Sequence, residues 1–186
     1  MSDYIIFEAL AFAAERHKNQ TRKGEGNIPY INHPIAVTRL LSKFGETNQD
    51  LLVAALFHDL IEDTAKGKKE IKELSDLIRD KFSENVLNIV LEVSDDKSLP
   101  VEERKHLQII HTPKLSSLAK KLKIADKICN LIDIKDNPPK DWTVERKLNY
   151  LNWAKQVVNG ARGLNKELDQ YFDQVYEEVY RFLKST

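Results

Sequence analysis

The sequence predicts an all-α protein of about eight or nine helices, and three observations carry that prediction. Apolar residues recur at the three- and four-residue spacing of a helix face along nearly the whole chain. Prolines, glycines and capping residues fall at the ends of these periodic stretches. No stretch keeps the strict alternation of a strand, and no Asn-Gly pair joins two alternating runs.

Taken in order, residues from about 3 to 18 place Ile5, Ile6, Ala9, Leu10, Phe12 and Ala13 on one side of a first helix. The polar segment after it, with Gly24, Gly26 and Pro29, has to be a loop. Pro34 suits the first position of a helix reaching about Phe44, where Gly45 stops it. Thr47 or Asn48 can cap the next, which is expected to run on to about Asp63. A Lys- and Gly-bearing loop leads to a helix marked by Ile71, Leu74, Leu77 and Ile78. Ser83 caps another through about Val93, and Pro100 opens a charged helix that ends before Pro113. Residues from about 115 to 135 form a long helix, closed by Pro138-Pro139. Thr143 caps the next as far as Gly160, and a final helix covers about Asn165 to Leu183.

Composition narrows the function classes. A chain of 186 residues can bury one good core, and no boundary marks a second, so residues 1–186 are expected to form a single domain. Lys+Arg and Asp+Glu both number 29, and zero net charge argues against a nucleic-acid or anionic-membrane partner. An anionic ligand must therefore be held by a local basic cluster. The single cysteine, Cys129, allows no internal disulfide and fits a reducing compartment. Asp3, Glu8 and Glu15 interrupt the N-terminal apolar residues, which excludes a signal or transit peptide. No apolar run approaches the roughly 20 residues that span a bilayer. The expectation is a cytoplasmic protein with a small-molecule ligand.

The chemistry concentrates in Phe57-His58-Asp59-Leu60-Ile61-Glu62-Asp63-Thr64. In a continuous helix His58 lies above Glu62 and Asp59 above Asp63, since residues four apart share a face. An apolar helix that ends in one imidazole and three carboxylates suits half of a divalent metal site better than it suits packing. Further ligands must come from elsewhere. His33, in Tyr30-Ile31-Asn32-His33-Pro34, stands at the mouth of a predicted helix, where it either caps the helix or points across a cleft. His17, His106 and His111 lie in charged surroundings and read as solvated. Asp126 shares a helix face with Asn130 and is either a salt-bridge partner in a Lys-rich helix or the remaining carboxylate ligand. Two His and two Asp suit Mn²⁺, Fe²⁺ or Zn²⁺ better than Ca²⁺ or Mg²⁺, which prefer all-oxygen shells.

Together these residues resemble a known family. The order His33 … His58-Asp59 … Asp126 is similar to that of the HD-domain metal phosphohydrolases. Within them, the local sequences resemble the (p)ppGpp hydrolases, and more closely the small stand-alone type than the long bifunctional enzymes. The likeness runs from Ala11 to about Gly163. It includes the loop His17-Lys18-Asn19-Gln20-Thr21-Arg22-Lys23, then Pro29-Tyr30-Ile31-Asn32-His33-Pro34, and Ile61-Glu62-Asp63-Thr64. Val93-Ser94-Asp95-Asp96-Lys97 and Lys123-Ile124-Ala125-Asp126-Lys127-Ile128-Cys129-Asn130-Leu131 extend it, with Ser94 in place of the expected Thr.

The resemblance implies an all-α HD fold with no synthetase or regulatory domain. It implies one divalent ion, usually manganese, on His33, His58, Asp59 and Asp126, and water activation by Glu62 and Asp63. Arg22 and Lys23 match positions that contact the guanine base and phosphates, and Asn130 matches one lining the nucleoside pocket. A guanidinium can also lie flat on a purine, as an ammonium cannot. Lys97 and Arg146 are further candidates for the substrate phosphates, whereas Arg104 and Lys105 read as surface charge. The implied reaction removes pyrophosphate from the ribose 3′ position of a guanine nucleotide. Other readings are a phosphatase acting on NADPH or (p)ppApp, a nucleotidase acting on 5′-monophosphates, and an inactive nucleotide-binding regulatory module. The Glu62-Asp63 pair and the Arg22-Lys23 loop argue against the nucleotidase. The sequence leaves the oligomeric state open.

Overall fold

The computed structural model describes residues 4–185; Asp3, where the first helix is expected to begin, lies outside them. Among the described residues there are ten α-helices, one short 3-10 turn and no β-strand. The all-α reading holds. There is one helix more than the sequence predicts because the stretch from Asn48 to Asp63 divides at His58-Asp59. The chain forms two compact units, residues 4–20 with 29–99 and residues 21–28 with 100–185.

The first unit holds α1 (Tyr4–His17), α2 (Asn32–Lys43), α3 (Gln49–Phe57), α4 (Leu60–Thr64), α5 (Gly67–Lys81) and α6 (Glu84–Val93). Helix α3 packs against α1, α2 and α6 and is apolar nearly all round, with Leu51 and Val53 to Phe57 buried. Phe57 meets Phe12 and Phe82 at ring-centroid distances of 5.5 and 4.7 Å, in edge-on geometry. Truncating such a ring to alanine costs about 3–5 kcal/mol. The helix ends follow the predicted signals. Gly45 takes φ +80° just beyond α2. Asn48, rather than Thr47, caps α3 by accepting the Leu51 N–H at 2.9 Å. Ser83 caps α6 in the same way through the Val86 N–H at 3.0 Å.

The second unit holds α7 (Val101–His111), the 3-10 turn Thr112–Lys114, α8 (Ser117–Asp136), α9 (Val144–Asn159) and α10 (Lys166–Ser185). Helix α10 lays Leu168, Phe172, Val175, Tyr176, Val179 and Leu183 against α8 and α9. Ser116 and Thr143 cap α8 and α9. The loop 21–28 belongs to this unit and is closed by the Arg22 N–H donating to Ile28 O at 2.9 Å. Gly24 passes so close to Asn137 that an added Cβ would stand 2.1 Å from the Asn137 Oδ1. Among the described residues no helix is long and apolar enough to cross a membrane.

Candidate active site

In the first unit the predicted metal-binding residues come from the start of α2 and the α3–α4 junction. His33 does not cap its helix; it lies in the first turn, two residues after Ile31, the cap position. It is buried, as is His58. The chain bends at His58-Asp59, where Asp59 takes φ −101° and ψ −4°, the sparsely populated bridge between helix and strand. That bend alters the expected stripe. The backbone still joins Asp63 N–H to Asp59 O at 2.9 Å, one turn apart. The Asp59 carboxylate instead turns towards the two histidines, while Asp63 serves another cluster.

Three donor atoms thereby converge. His58 Nε2 stands 3.3 Å from His33 Nε2 and 3.1 Å from Asp59 Oδ2, and His33 Nε2 stands 3.9 Å from the same oxygen. Ligands with bonds of about 2.1 Å lie about 3.0–3.4 Å apart around a small divalent ion, so the set is close to a ligand spacing. His58 Nδ1 donates to Ala55 O at 2.8 Å, a carbonyl that can only accept. In the neutral ring, that tautomer leaves on Nε2 the lone pair that a metal needs. The Tyr30 hydroxyl donates to Asp59 Oδ2 at 2.5 Å and orients that carboxylate. The residues fit a divalent cation held by mixed nitrogen and oxygen donors.

The second cluster joins α4 to the 94–99 loop. Lys97 Nζ stands 2.6 Å from Asp63 Oδ1 and 3.2 Å from Glu62 Oε1, and the Asp95 N–H donates to Glu62 Oε2 at 2.8 Å. The Glu62 pKa is raised, first by burial and then by the Asp59 charge, against the opposing pull of the Asp95 N–H and Lys97. Burial works against the Lys97 charge, yet the hydrogen bond to Asp63 and the attraction of both carboxylates leave its pKa raised. A carboxyl group with raised affinity for a proton, beside a second carboxylate, is equipped to move protons.

In the second unit Arg22, Asn130 and Asp126 form one chain of contacts. Arg22 Nε donates to Asp133 Oδ2 at 2.8 Å, and Nη2 reaches both that oxygen and, at 3.0 Å, Asn130 Oδ1. The Asn130 amide then donates to Asp126 Oδ1 at 2.6 Å. Asp126 is buried and also accepts from Lys127 Nζ at 2.9 Å. Lys23 and Arg146 stay outside this chain. Lys23 is exposed, and Arg146 is exposed with its guanidinium 4.7 Å from the centre of the Trp142 ring. Lys105 pairs with Glu102 one turn earlier, as a surface residue would.

His17 departs from expectation. It is buried, not solvated, and its ring lies 4.9 Å from that of Tyr30. Its Nδ1 donates to Gln20, while its Nε2 is buried with no hydrogen-bond partner among the described residues. Ala9, Ala13 and His17 repeat every four residues, and that spacing was the signal of a buried face. Tyr30, Asp133 and Lys127 are the other residues whose part in these clusters the motifs alone did not single out.

Comparison with known proteins gives consistent results. The HD-domain family model matches residues 9–152. The guanosine-3′,5′-bis(diphosphate) 3′-pyrophosphohydrolase MESH1 of Xenopus tropicalis is 47% identical over 173 residues, which cover 92% of this chain and 93% of that protein. Its human counterpart is 41% identical over 174 residues, 93% of each chain. A solved structure of a metazoan SpoT orthologue, described as hydrolysing ppGpp, superposes with a TM-score of 0.87 at 39% identity, covering 96% of this chain and 97% of that one.

Proposed function

The chain belongs to the HD-domain family and, within it, to the (p)ppGpp hydrolases, and on that premise we propose that it is a guanosine-3′,5′-bis(diphosphate) 3′-pyrophosphohydrolase. It converts ppGpp or pppGpp, with one water, to GDP or GTP plus pyrophosphate. The convergence of His33, His58 and Asp59 beside the Glu62-Asp63 pair is the observation that carries this reading. The proposal extends to one hydrolase domain spanning residues 1–186, a cytoplasmic location and a single resident Mn²⁺, with Fe²⁺ or Zn²⁺ as substitutes.

In this proposal His33, His58, Asp59 and Asp126 hold the ion. Once bound, it supplies positive charge that acidifies water and neutralises phosphoryl oxygens. The remaining work falls to the chain. Tyr30 and Ala55 O keep Asp59 and His58 in their binding orientations. Asp63 and Glu62 orient the attacking water and take its proton, a contribution of about 10²–10⁴-fold. The water oxygen bonds to phosphorus as the bond to the ribose O3′ breaks, and O3′ takes up a proton. Lys97 gives the leaving pyrophosphate a cation beside the acid pair. Arg22 and Asn130 accept the nucleoside, with Lys23 and Arg146 as exposed cations for its phosphates.

Steady-state kinetics on a panel of ppGpp, pppGpp, (p)ppApp and NADPH tests the substrate. We expect kcat/KM to be highest for the guanine tetra- and pentaphosphates, and a large preference for NADPH would overturn the reading. An inactive nucleotide-binding module would turn over none of the panel.

A further inference from the structure

Adjacent residues of a helix point about 100° apart and do not normally meet. Lys127 and Asp126 are adjacent in the middle of α8, yet Lys127 Nζ reaches Asp126 Oδ2 at 2.9 Å. Lys127 is only 4% exposed, so this is not a surface lysine resting on a neighbour. Its ammonium also lies 4.7 Å from the centre of the Trp153 ring. Trp153 is itself fixed, since its indole N–H donates to Lys105 O at 3.0 Å. The Asp126 carboxylate is thus held at both ends, by Lys127 on Oδ2 and by Asn130 on Oδ1.

From this arrangement we propose that Lys127 is a positioning residue for the metal centre: clamped between Asp126 and the face of Trp153, its ammonium sets the Asp126 carboxylate in its binding orientation before any ion arrives. The inference rests on the reading of Asp126 as a ligand. Chemistry favours an ammonium at this place. A buried carboxylate is costly without a paired charge, and the ammonium supplies that charge while its hydrogen bond fixes the direction of Oδ2. The ring of Trp153 accepts the other side of the cation without offering an oxygen that would draw it away from Asp126. Lys127 therefore acts through Asp126 and not on the substrate.

Isothermal titration of metal-free, full-length protein with Mn²⁺ tests this without reference to turnover. Partners one shell out from a metal typically carry 10–100-fold in affinity, so K127M should raise the Mn²⁺ Kd by about that factor. K127R keeps a cation against both Asp126 and the ring and should stay within about threefold of wild type. A K127M protein that binds Mn²⁺ as wild type does, or a K127R protein as weak as K127M, overturns the inference. D126N separates the two layers: if it leaves Mn²⁺ affinity unchanged, the Asp126 reading itself fails. Should K127M not fold, W153L decides, because it removes the ring and keeps the ion pair. Weakening of about threefold or more supports the clamp, and unchanged affinity overturns it.

Discussion

Lys97 donates to Asp63 across 2.6 Å, which ties the 94–99 loop to the acid pair of α4. The same ammonium lies 3.2 Å from Glu62 and pulls that residue's pKa down against the larger upward effect of burial. Removing it in K97M takes away stabilisation of the Glu62 anion. If ionised Glu62 takes the proton of the attacking water, the acid limb of the kcat profile moves to higher pH in K97M. A pH series from 5 to 9 on the two proteins is the check, and an unmoved acid limb separates Glu62 from the proton transfer.

Asp63 is given the handling of water and not the holding of metal. D63N should bind Mn²⁺ with wild-type affinity while losing about 10²–10⁴-fold in kcat. Mn²⁺ titration and a single-turnover assay report the two properties separately. Undiminished turnover would refute the assigned role.

Burial raises the Glu62 pKa, and the sign of its effect on stability follows. The folded protein holds the Glu62 proton more tightly than the unfolded chain, so this residue favours folding at low pH and loses that contribution as pH rises through the unfolded value near 4.5 and on to the raised folded one. Once ionised, the buried carboxylate is a net burden. E62Q, measured metal-free, should melt at a higher temperature than wild type at pH 7, with the difference shrinking towards zero below about pH 4.5. Differential scanning calorimetry at three pH values checks it.

Tyr30 grips Asp59 at 2.5 Å. Y30F removes that donor and should weaken Mn²⁺ about 10–100-fold, while H58A should abolish binding. Ligand binding to the folded state alone adds about 2.7 kcal/mol when free metal is 100-fold above Kd. Wild type should therefore gain thermal stability with Mn²⁺ and lose it with a chelator, and H58A should do neither.

These residues also show what a sequence can and cannot disclose. Helix limits were legible because Gly45, Asn48, Ser83, Pro100 and Thr143 act locally, through backbone freedom or a single hydrogen bond. The bend at His58-Asp59 was not, because no Gly or Pro marks it. Helical spacing alone joined His58 to Glu62 and Asp59 to Asp63, whereas the bend sends Asp59 to the histidines and leaves the acid pair with Lys97. His17 misled for a different reason. Its polar neighbours in sequence suggest solvent, but burial is decided by helix face, and its side chain points inward. Asp133 holds Arg22 from 111 residues away, a pairing that no local pattern encodes.

The Asp59 cluster and the Glu62-Asp63 pair together make the proposed 3′-pyrophosphohydrolase. The most direct measurement incubates purified, metal-free protein with ppGpp, with and without Mn²⁺, and resolves the products by anion exchange. GDP and pyrophosphate are expected in equal amounts, only when Mn²⁺ is present, and none from H58A. Release of single phosphates, or no guanine product at all from the Mn²⁺-loaded wild type, would contradict the proposal.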